Sequence, residues 1–478
     1  SDMPVPEVRF RVESERVAAC LADLRAELRI PAGFPPAVMA EAERAATNGP
    51  TDLGPRQDHT GRDLVTIDPP DSLDLDQAVP AERRGSGTRI WYAIADVAAF
   101  VPVGGAIAAE SLERGVTLYA PDGRASLHPE VLSEGTASLL PDGDRPALLW
   151  RIDLDSDGIA IDAEVVRATV RSRAKLSYRD VQQDIDGGMA ATPLQLLRRI
   201  GLSRLEVEAD RGGVSLNLPS QEVVAVEDGF ELRYDETLPV ERWNAQVSLL
   251  TGMAAAELMV HAGVGLLRTL PPAPDDVLHD LRSAAQTLDI PWADNQTYAE
   301  AVRELGPDQP THAAFLAVAV RALRGAGYVA FDGEVPDHRL HAAIAAPYAH
   351  VTAPLRRVVD HYAGEIALAA CLGVRPPDWV TAALDDLPSV MGRARSRESA
   401  LERNVLDLTE ALVLESEVGR RFDAVLTVID PEGRGTIQLR RPAVIATLDE
   451  PGPAEAGDEL TVELVAADPE SRRVTFRS

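Results

Sequence analysis

Lysine is nearly absent from this chain: Lys175 is the only one, so almost every positive charge is an arginine. Such a bias reflects coding composition as readily as an affinity for phosphate, and it assigns no function. Cysteine is also scarce, and Cys20 and Cys371 lack the CxxC or Cys/His spacing of a zinc site. His338 and His341 share a face if helical, but no third ligand stands near them. No apolar run approaches the ~20 residues that span a bilayer, and no N-terminal stretch has the basic start and apolar core of a secretory signal. The expectation is a cytoplasmic protein without a membrane partner. Positive charge is outnumbered, with 47 Lys and Arg against 76 Asp and Glu and a net charge of −29. That excludes a protein that coats nucleic acid through displaced counterions. It leaves open a substrate held in a cleft, where only charges within about one Debye length, ~10 Å, are felt.

With 478 residues, 45% of them hydrophobic, the chain can bury a large core divided among about two to four domains. Residues 1–57 read as a small helical lead-in, with Val17, Leu21, Leu24 and Leu28 at helical spacing. Residues 58–375 form the expected main domain. There, short β-branched runs such as LVTID, RIWYAIADVAAFV and ALLWRIDLDSDG precede apolar helical segments at 240–267 and 354–371. Residues 376–418 read as a helical connector, and 419–478 as short strands broken by PEG and EPGPAEAG turns, the rhythm of a five-stranded OB-like barrel. Strands first and helices after give an α+β class.

The segment LVTIDPPDSLDLDQAV ends one strand at Asp68 and is expected to begin another carrying Asp74 and Asp76. Period-two alternation places those two carboxylates on one face, with Leu73 and Leu75 on the other. Neighbouring carboxylates repel, and a cation among them relieves the repulsion; oxygen ligands of this kind suit Mg²⁺, with Mn²⁺ as a substitute. The pattern alone fits an acidic solvated turn equally well. In YAHVTAPLRRVVDHYAGEIALAACLG, Pro354 suits the first position of a helix, which puts Arg356 in the first turn. A cation there opposes the helix dipole, so a bound anion such as phosphate would offset it. A salt bridge to a nearby acid is the plainer alternative.

These two segments together resemble the RNB catalytic domain of the ribonuclease II and ribonuclease R family. The first is similar to its T-I-D-x-x-x-x-x-D-x-D-D-A signature at Thr66, Ile67, Asp68, Asp74, Asp76 and Ala78. The second is similar to Y-x-H-x-T-S-P-I-R-R-Y-x-D at Tyr348, His350, Thr352, Pro354, Arg356, Arg357 and Asp360. IADVAAFVPVGG, RGVTLYAPDGR, AKLSYRDVQ and RGGVSLNLP extend the likeness across about residues 58 to 375. The resemblance implies a central mixed sheet or barrel flanked by long helices, an S1-type barrel at the C-terminus, and a shortened form without the pair of N-terminal cold-shock domains. It implies that Asp68, Asp74, Asp76 and the residue at 77 hold Mg²⁺, that Arg356 stabilises charge on the scissile phosphate, and that Tyr119 stacks on a base near the 3′ end. One departure stands out. The family's last aspartate is Gln77 here, a neutral oxygen donor that weakens a metal site or, in the alternative, leaves a protein that binds RNA without cutting it.

Between Arg167 and Arg179 five positive charges stand without an acid, and Arg171, Arg173 and Lys175 alternate along a presumed strand. They form a basic stripe suited to RNA phosphates, or a charged strand edge protected from aggregation. With Tyr348, His350, Thr352 and Arg357 they complete the expected RNA-binding set. The functional expectation is a monomeric, Mg²⁺-dependent 3′-to-5′ exoribonuclease that degrades single-stranded RNA to nucleoside 5′-monophosphates and needs no obligate protein partner. The rivals are a catalytically impaired RNA-binding or regulatory protein and a phosphodiesterase of short oligonucleotides.

Overall fold

The computed structural model describes every residue except 1–10, 13, 217–219, 227–228, 236, 307–308 and 431. The start of the helical lead-in and the end of the RGGVSLNLP segment thus lie outside the described residues. Among those described, no helix is long and apolar enough to cross a membrane.

The centre is a mixed sheet built from β1 (Gln57–Asp68), β2 (Gln77–Ala78), β3 (Gly87–Ala95), β4 (Asp144–Leu154) and β5 (Ala160–Ser177). Their order is β1-β5-β4-β3-β2, and Ala81–Arg84 also pairs with β3. Only β1 and β5 run parallel. A bridge between Val65 and Val79 curls the sheet back towards closure. Its central strands read as continuous apolar runs because both faces are covered. Ile90, Tyr92, Ile94, Leu148 and Trp150 enter one core cluster, while Trp91, Ala93, Ala95, Ala147 and Leu149 enter the other. The period of two thus assigns alternate residues to two separate cores.

Helix α1 (Val358–Leu372) is buried along most of its length against the first of these clusters. It starts four residues later than the expected Pro354. The backbone of Arg356 and Val358 is committed elsewhere: the Thr117 amide donates to the Arg356 carbonyl, and the Val358 amide donates to Gly115. Residues 353–357 therefore form a turn pinned to the 115–117 segment, and Arg356 lies outside the helix. The apolar segment at 240–267 departs similarly. Its helix, Pro239–Ala262, stops at Gly263, whose φ of 72° is the left-handed conformation that glycine adopts without strain. Residues Val264–Thr269 continue as a strand.

Helix α2 (Leu387–Leu414) lies within the segment read as a helical connector and has 28 residues, so it is about 42 Å long at ~1.5 Å per residue. One face is buried from Leu387 to Leu414. About three turns in, Arg397 donates to the carbonyls of Glu113 and Arg114. At its far end Leu414 enters the core of a closed barrel formed by Arg421–Ile429, Gly435–Leu439, Ile445–Leu448, Glu459–Asp468 and Arg473–Arg477. The five-stranded barrel is as expected. Glu410, 4% exposed, fastens this junction by accepting from Gln221 Nε2 at 2.6 Å and from the Ile445 amide at 2.9 Å.

Candidate active site

Asp68 ends β1, where parallel pairing sets it opposite Ser177 and sets Thr66 opposite Lys175. Its Oδ2 is buried and has no hydrogen-bond partner. Burial pushes the carboxyl up to about 6; Arg356 and Lys175 oppose the rise and Asp74 adds to it.

Asp74 and Asp76 do not sit on a strand, contrary to expectation. Residues 69–76 form an extended loop, and β2 begins only at Gln77. Nor do the two leucines share a face, since Leu73 is 44% exposed whereas Leu75 is fully buried. The buried Ser138 hydroxyl explains the shape: it donates to the Leu73 carbonyl at 2.6 Å and accepts the Leu75 amide at 2.9 Å. With Leu75 drawn into the core, the carboxylates on either side of it are presented to the site. Asp74 accepts from the Tyr119 hydroxyl and from Arg124 Nη1, both at 3.1 Å, and Arg124 also pairs with Glu134. Tyr119 and Arg124 are cross-strand partners in a small hairpin, Leu118–Ala120 with Gly123–Ala125.

Asp76 accepts the Leu355 amide and Arg356 Nε, each at 2.7 Å. Burial pushes its carboxyl up to about 7 against the pull of Arg356 and the Leu355 amide. For the pair we favour the ionised form, because two short charge-assisted bonds converge on this carboxylate and it raises the Arg356 guanidinium in turn. The terminal nitrogens of Arg356 have no hydrogen-bond partner among the described residues, and its side chain is 41% exposed. The turn that carries it is fixed from behind by Asp360, which accepts the Ala353 amide at 2.7 Å and two Arg357 donors at 2.9 Å.

The expected four-residue metal set is not assembled as a cage. Among the described residues no group of three or more His, Cys, Asp or Glu side chains converges closely enough to hold a metal ion. Gln77 is committed to protein partners: its Nε2 donates to the Thr352 carbonyl at 2.7 Å, and its Oε1 accepts from the Tyr92 hydroxyl, with Ser248 Oγ at 3.4 Å. Asp76 is engaged by Arg356. What remains is the orphaned Asp68 oxygen, with Asp74 beside it, the latter held by Tyr119 and Arg124 through longer 3.1 Å contacts. Two carboxylates fit a hard cation that keeps much of its water shell and takes further ligands from substrate.

The expected RNA-binding residues fall into two groups. Tyr119 is 48% exposed and offers a ring face beside the carboxylates. Tyr348 and Thr352 are instead buried, and His350 Nδ1 is bonded to the Tyr328 hydroxyl at 2.7 Å. Burial, with Arg357 and Arg268 nearby, holds the His350 ring neutral. With Arg357 held by Asp360, these four shape the turn's support rather than an open RNA surface. In the basic stripe, Arg171 pairs with Asp144 at 2.6 Å and Arg173 donates to the Thr60 carbonyl at 2.7 Å. Among the described residues, Lys175 has the Pro70 carbonyl as its one direct hydrogen-bond partner, and it lies close enough to influence Asp68. Sequence reasoning missed Arg124, Ser138 and Tyr92. The PDG turn in RGVTLYAPDGR was a legible hairpin signal that would have placed Arg124 opposite Tyr119.

Residues 56–370 match the RNB domain, and residues 420–478 match the RNase II-type exonuclease C-terminal S1 domain. The ribonuclease R of Vibrio cholerae is 26% identical over 402 residues, covering 77% of this chain and 48% of that protein. The chain spans about half the length of the curated relatives it matches first. Mycoplasma genitalium RNase R in complex with ribose methylated single-stranded RNA superposes with a TM-score of 0.85 at 19% identity, covering 96% of this chain and 78% of that one. Yeast Ssd1, a pseudonuclease, superposes at 0.70 with 16% identity, covering 84% and 52%. At these identities the structural likenesses show a shared fold.

Proposed function

The chain belongs to the RNB-domain family, and from that premise we propose that it is a 3′-to-5′ exoribonuclease that hydrolyses single-stranded RNA to nucleoside 5′-monophosphates. The observation that carries this reading is the convergence of Asp68, Asp74, Asp76 and Arg356, from three separate segments, beside an exposed Tyr119 ring. Tyr119 seats the terminal base by stacking, its hydroxyl tethered to Asp74 so that the ring stands at a fixed angle to the carboxylates. Arg356, held by Asp76 through Nε, directs its free terminal nitrogens at the phosphate, where negative charge builds as the P–O bond to the departing nucleotide lengthens. Such donors stabilise the transition state more than the ground state. Asp68 and Asp74 would hold Mg²⁺, which neutralises phosphate charge and makes a bound water more acidic. Asp76 keeps Arg356 charged and aimed.

The test incubates 5′-labelled RNA and DNA strands of several lengths with the protein, in Mg²⁺ or in chelator, and resolves the products. A ladder shrinking from the 3′ end on RNA alone, and only with Mg²⁺, supports the proposal. A second reading, an RNA-binding protein that does not cut, is favoured by Gln77, whose amide is spent on protein partners where the family signature has an acid. It predicts retained RNA binding with no ladder. Cleavage of DNA or of short oligomers alone would replace both readings with a phosphodiesterase.

A further inference from the structure

We infer that Gln77 is a positioning residue that holds the Arg356 turn through the Thr352 carbonyl, a task that its amide performs and an ionised carboxylate at this position would not. The inference rests on the exoribonuclease reading for its catalytic consequence, whereas its structural content stands on geometry alone.

Gln77 and Asp76 are adjacent, and between them they grip the same turn at three points. Gln77 Nε2 donates to the Thr352 carbonyl at 2.7 Å, and Asp76 accepts the Leu355 amide and Arg356 Nε. The other end of the Gln77 amide is equally determined. Its Oε1 accepts from the hydroxyl of Tyr92, a residue 1% exposed, and Tyr92 in turn is 2.7 Å from Ser248 Oγ. Thr352 offers an acceptor and Tyr92 offers a donor, so the side chain between them must donate at one end and accept at the other. A carboxamide does both whatever the pH, whereas a carboxyl does so only while it is protonated. Backbone pairing of Gln77 with Ile94, and of the Ala95 amide with the Asp76 carbonyl at 2.9 Å, anchors this bridge to the central sheet.

An ionised carboxylate at residue 77 would present only acceptors. It could accept from Tyr92, but it would face the Thr352 carbonyl with oxygen against oxygen and leave that buried acceptor unpaired. Gln77 is therefore not a weakened version of a metal-binding aspartate. In this chain the position has a different task, tying the turn that carries the transition-state arginine to the start of β2, next to the arginine's carboxylate partner Asp76.

The two assignments give opposite outcomes for Gln77→Asp and Gln77→Glu. If residue 77 positions the turn, both variants lower kcat for RNA trimming about tenfold, the size of one buried hydrogen bond lost, with KM within about twofold. The same substitution in an Arg356→Lys background costs little more, because the geometry it protects is already gone. Independently of activity, amide hydrogen exchange at residues 353–357 should rise about tenfold in Gln77→Glu while the barrel's exchange is unchanged. A Gln77→Asp protein that trims as fast as the parent or faster would overturn the inference, and so would unchanged exchange in the turn. If the parent itself trims no RNA, the functional reading fails, but the exchange measurement still decides whether Gln77 holds the turn.

Discussion

Asp76 Oδ2 accepts a hydrogen bond from Arg356 Nε at 2.7 Å although the two residues are 280 positions apart. The bond uses the one guanidinium nitrogen that faces along the side chain and leaves both terminal nitrogens for a ligand. A lysine could offer its charge but not this division of donors. Arg356→Lys should therefore lower kcat about a hundredfold while changing KM less than about threefold, as expected for a group that acts in the transition state. Steady-state trimming of a labelled oligonucleotide separates the two parameters, and a rise in KM alone would contradict the role.

Asp76→Asn keeps the side chain's shape and can still accept the Leu355 amide, but it removes the charge that aims Arg356. Degradation should fall about a thousandfold or more, whereas RNA affinity in a filter-binding assay should hold. Trimming at the parental rate would show that the site has been misassigned.

Tyr119→Ala removes the exposed ring and should weaken RNA binding by about 5- to 150-fold, the range of ~1–3 kcal/mol for one stacked base. Tyr119→Phe keeps the ring and loses only the bond to Asp74, so its affinity should stay near the parent's. Equal losses in the two variants would place the effect in the hydroxyl instead.

The basic stripe should divide by residue. Arg171 is already neutralised by Asp144, and Arg171→Ala should leave RNA affinity within about twofold, since exposed pairs contribute little. Lys175→Ala should reduce the slope of log affinity against log salt by about one. Titrating binding across salt concentrations tests both, and an identical slope for the Lys175 variant would remove it from the RNA path.

Glu410 supplies a prediction about stability. Burial pushes its carboxyl up to about 7, overcoming the Gln221 and Ile445 donors that favour the ionised form. The unfolded value is near ~4.3, so the folded chain binds this proton more tightly. The contribution is present in full below the unfolded value and is lost as pH rises through about 7. Glu410→Gln has no proton to lose. The stability of the parent minus that of the variant should fall on the order of 2 kcal/mol between about pH 5 and about pH 8. Urea midpoints at the two pH values measure it, and a constant difference would refute it.

How much of this was legible depended on whether a residue's task was set locally. The signature aspartates and Arg356 do lie together in the fold, as the motifs suggested. Their local geometry was not legible in the same way. Helical spacing assigned Arg356 to a first turn, yet the 115–117 segment took the backbone groups that would have begun the helix. Alternation put Leu73 and Leu75 on one face, yet a single hydroxyl from Ser138 drew in Leu75 and left Leu73 outside. Both decisions were made by partners distant in sequence, which no window of neighbouring residues contains. The five barrel strands, whose turns and alternation are local, were read directly. Gln77 was recognised as a departure, but its task was visible only once Thr352 and Tyr92 stood on either side of it.

Helix α2 is tied to the 113–114 segment through Arg397 and to the barrel through Leu414, attachments 17 residues and so about 26 Å apart at ~1.5 Å per residue. Under the proposed function, an RNA strand gripped at both places would have its free length set by that separation. Trimming would then bring the RNA to a length that no longer reaches both, and the gain in effective concentration from a second contact would disappear. On that reading the helix would act as a ruler for the length at which degradation slows.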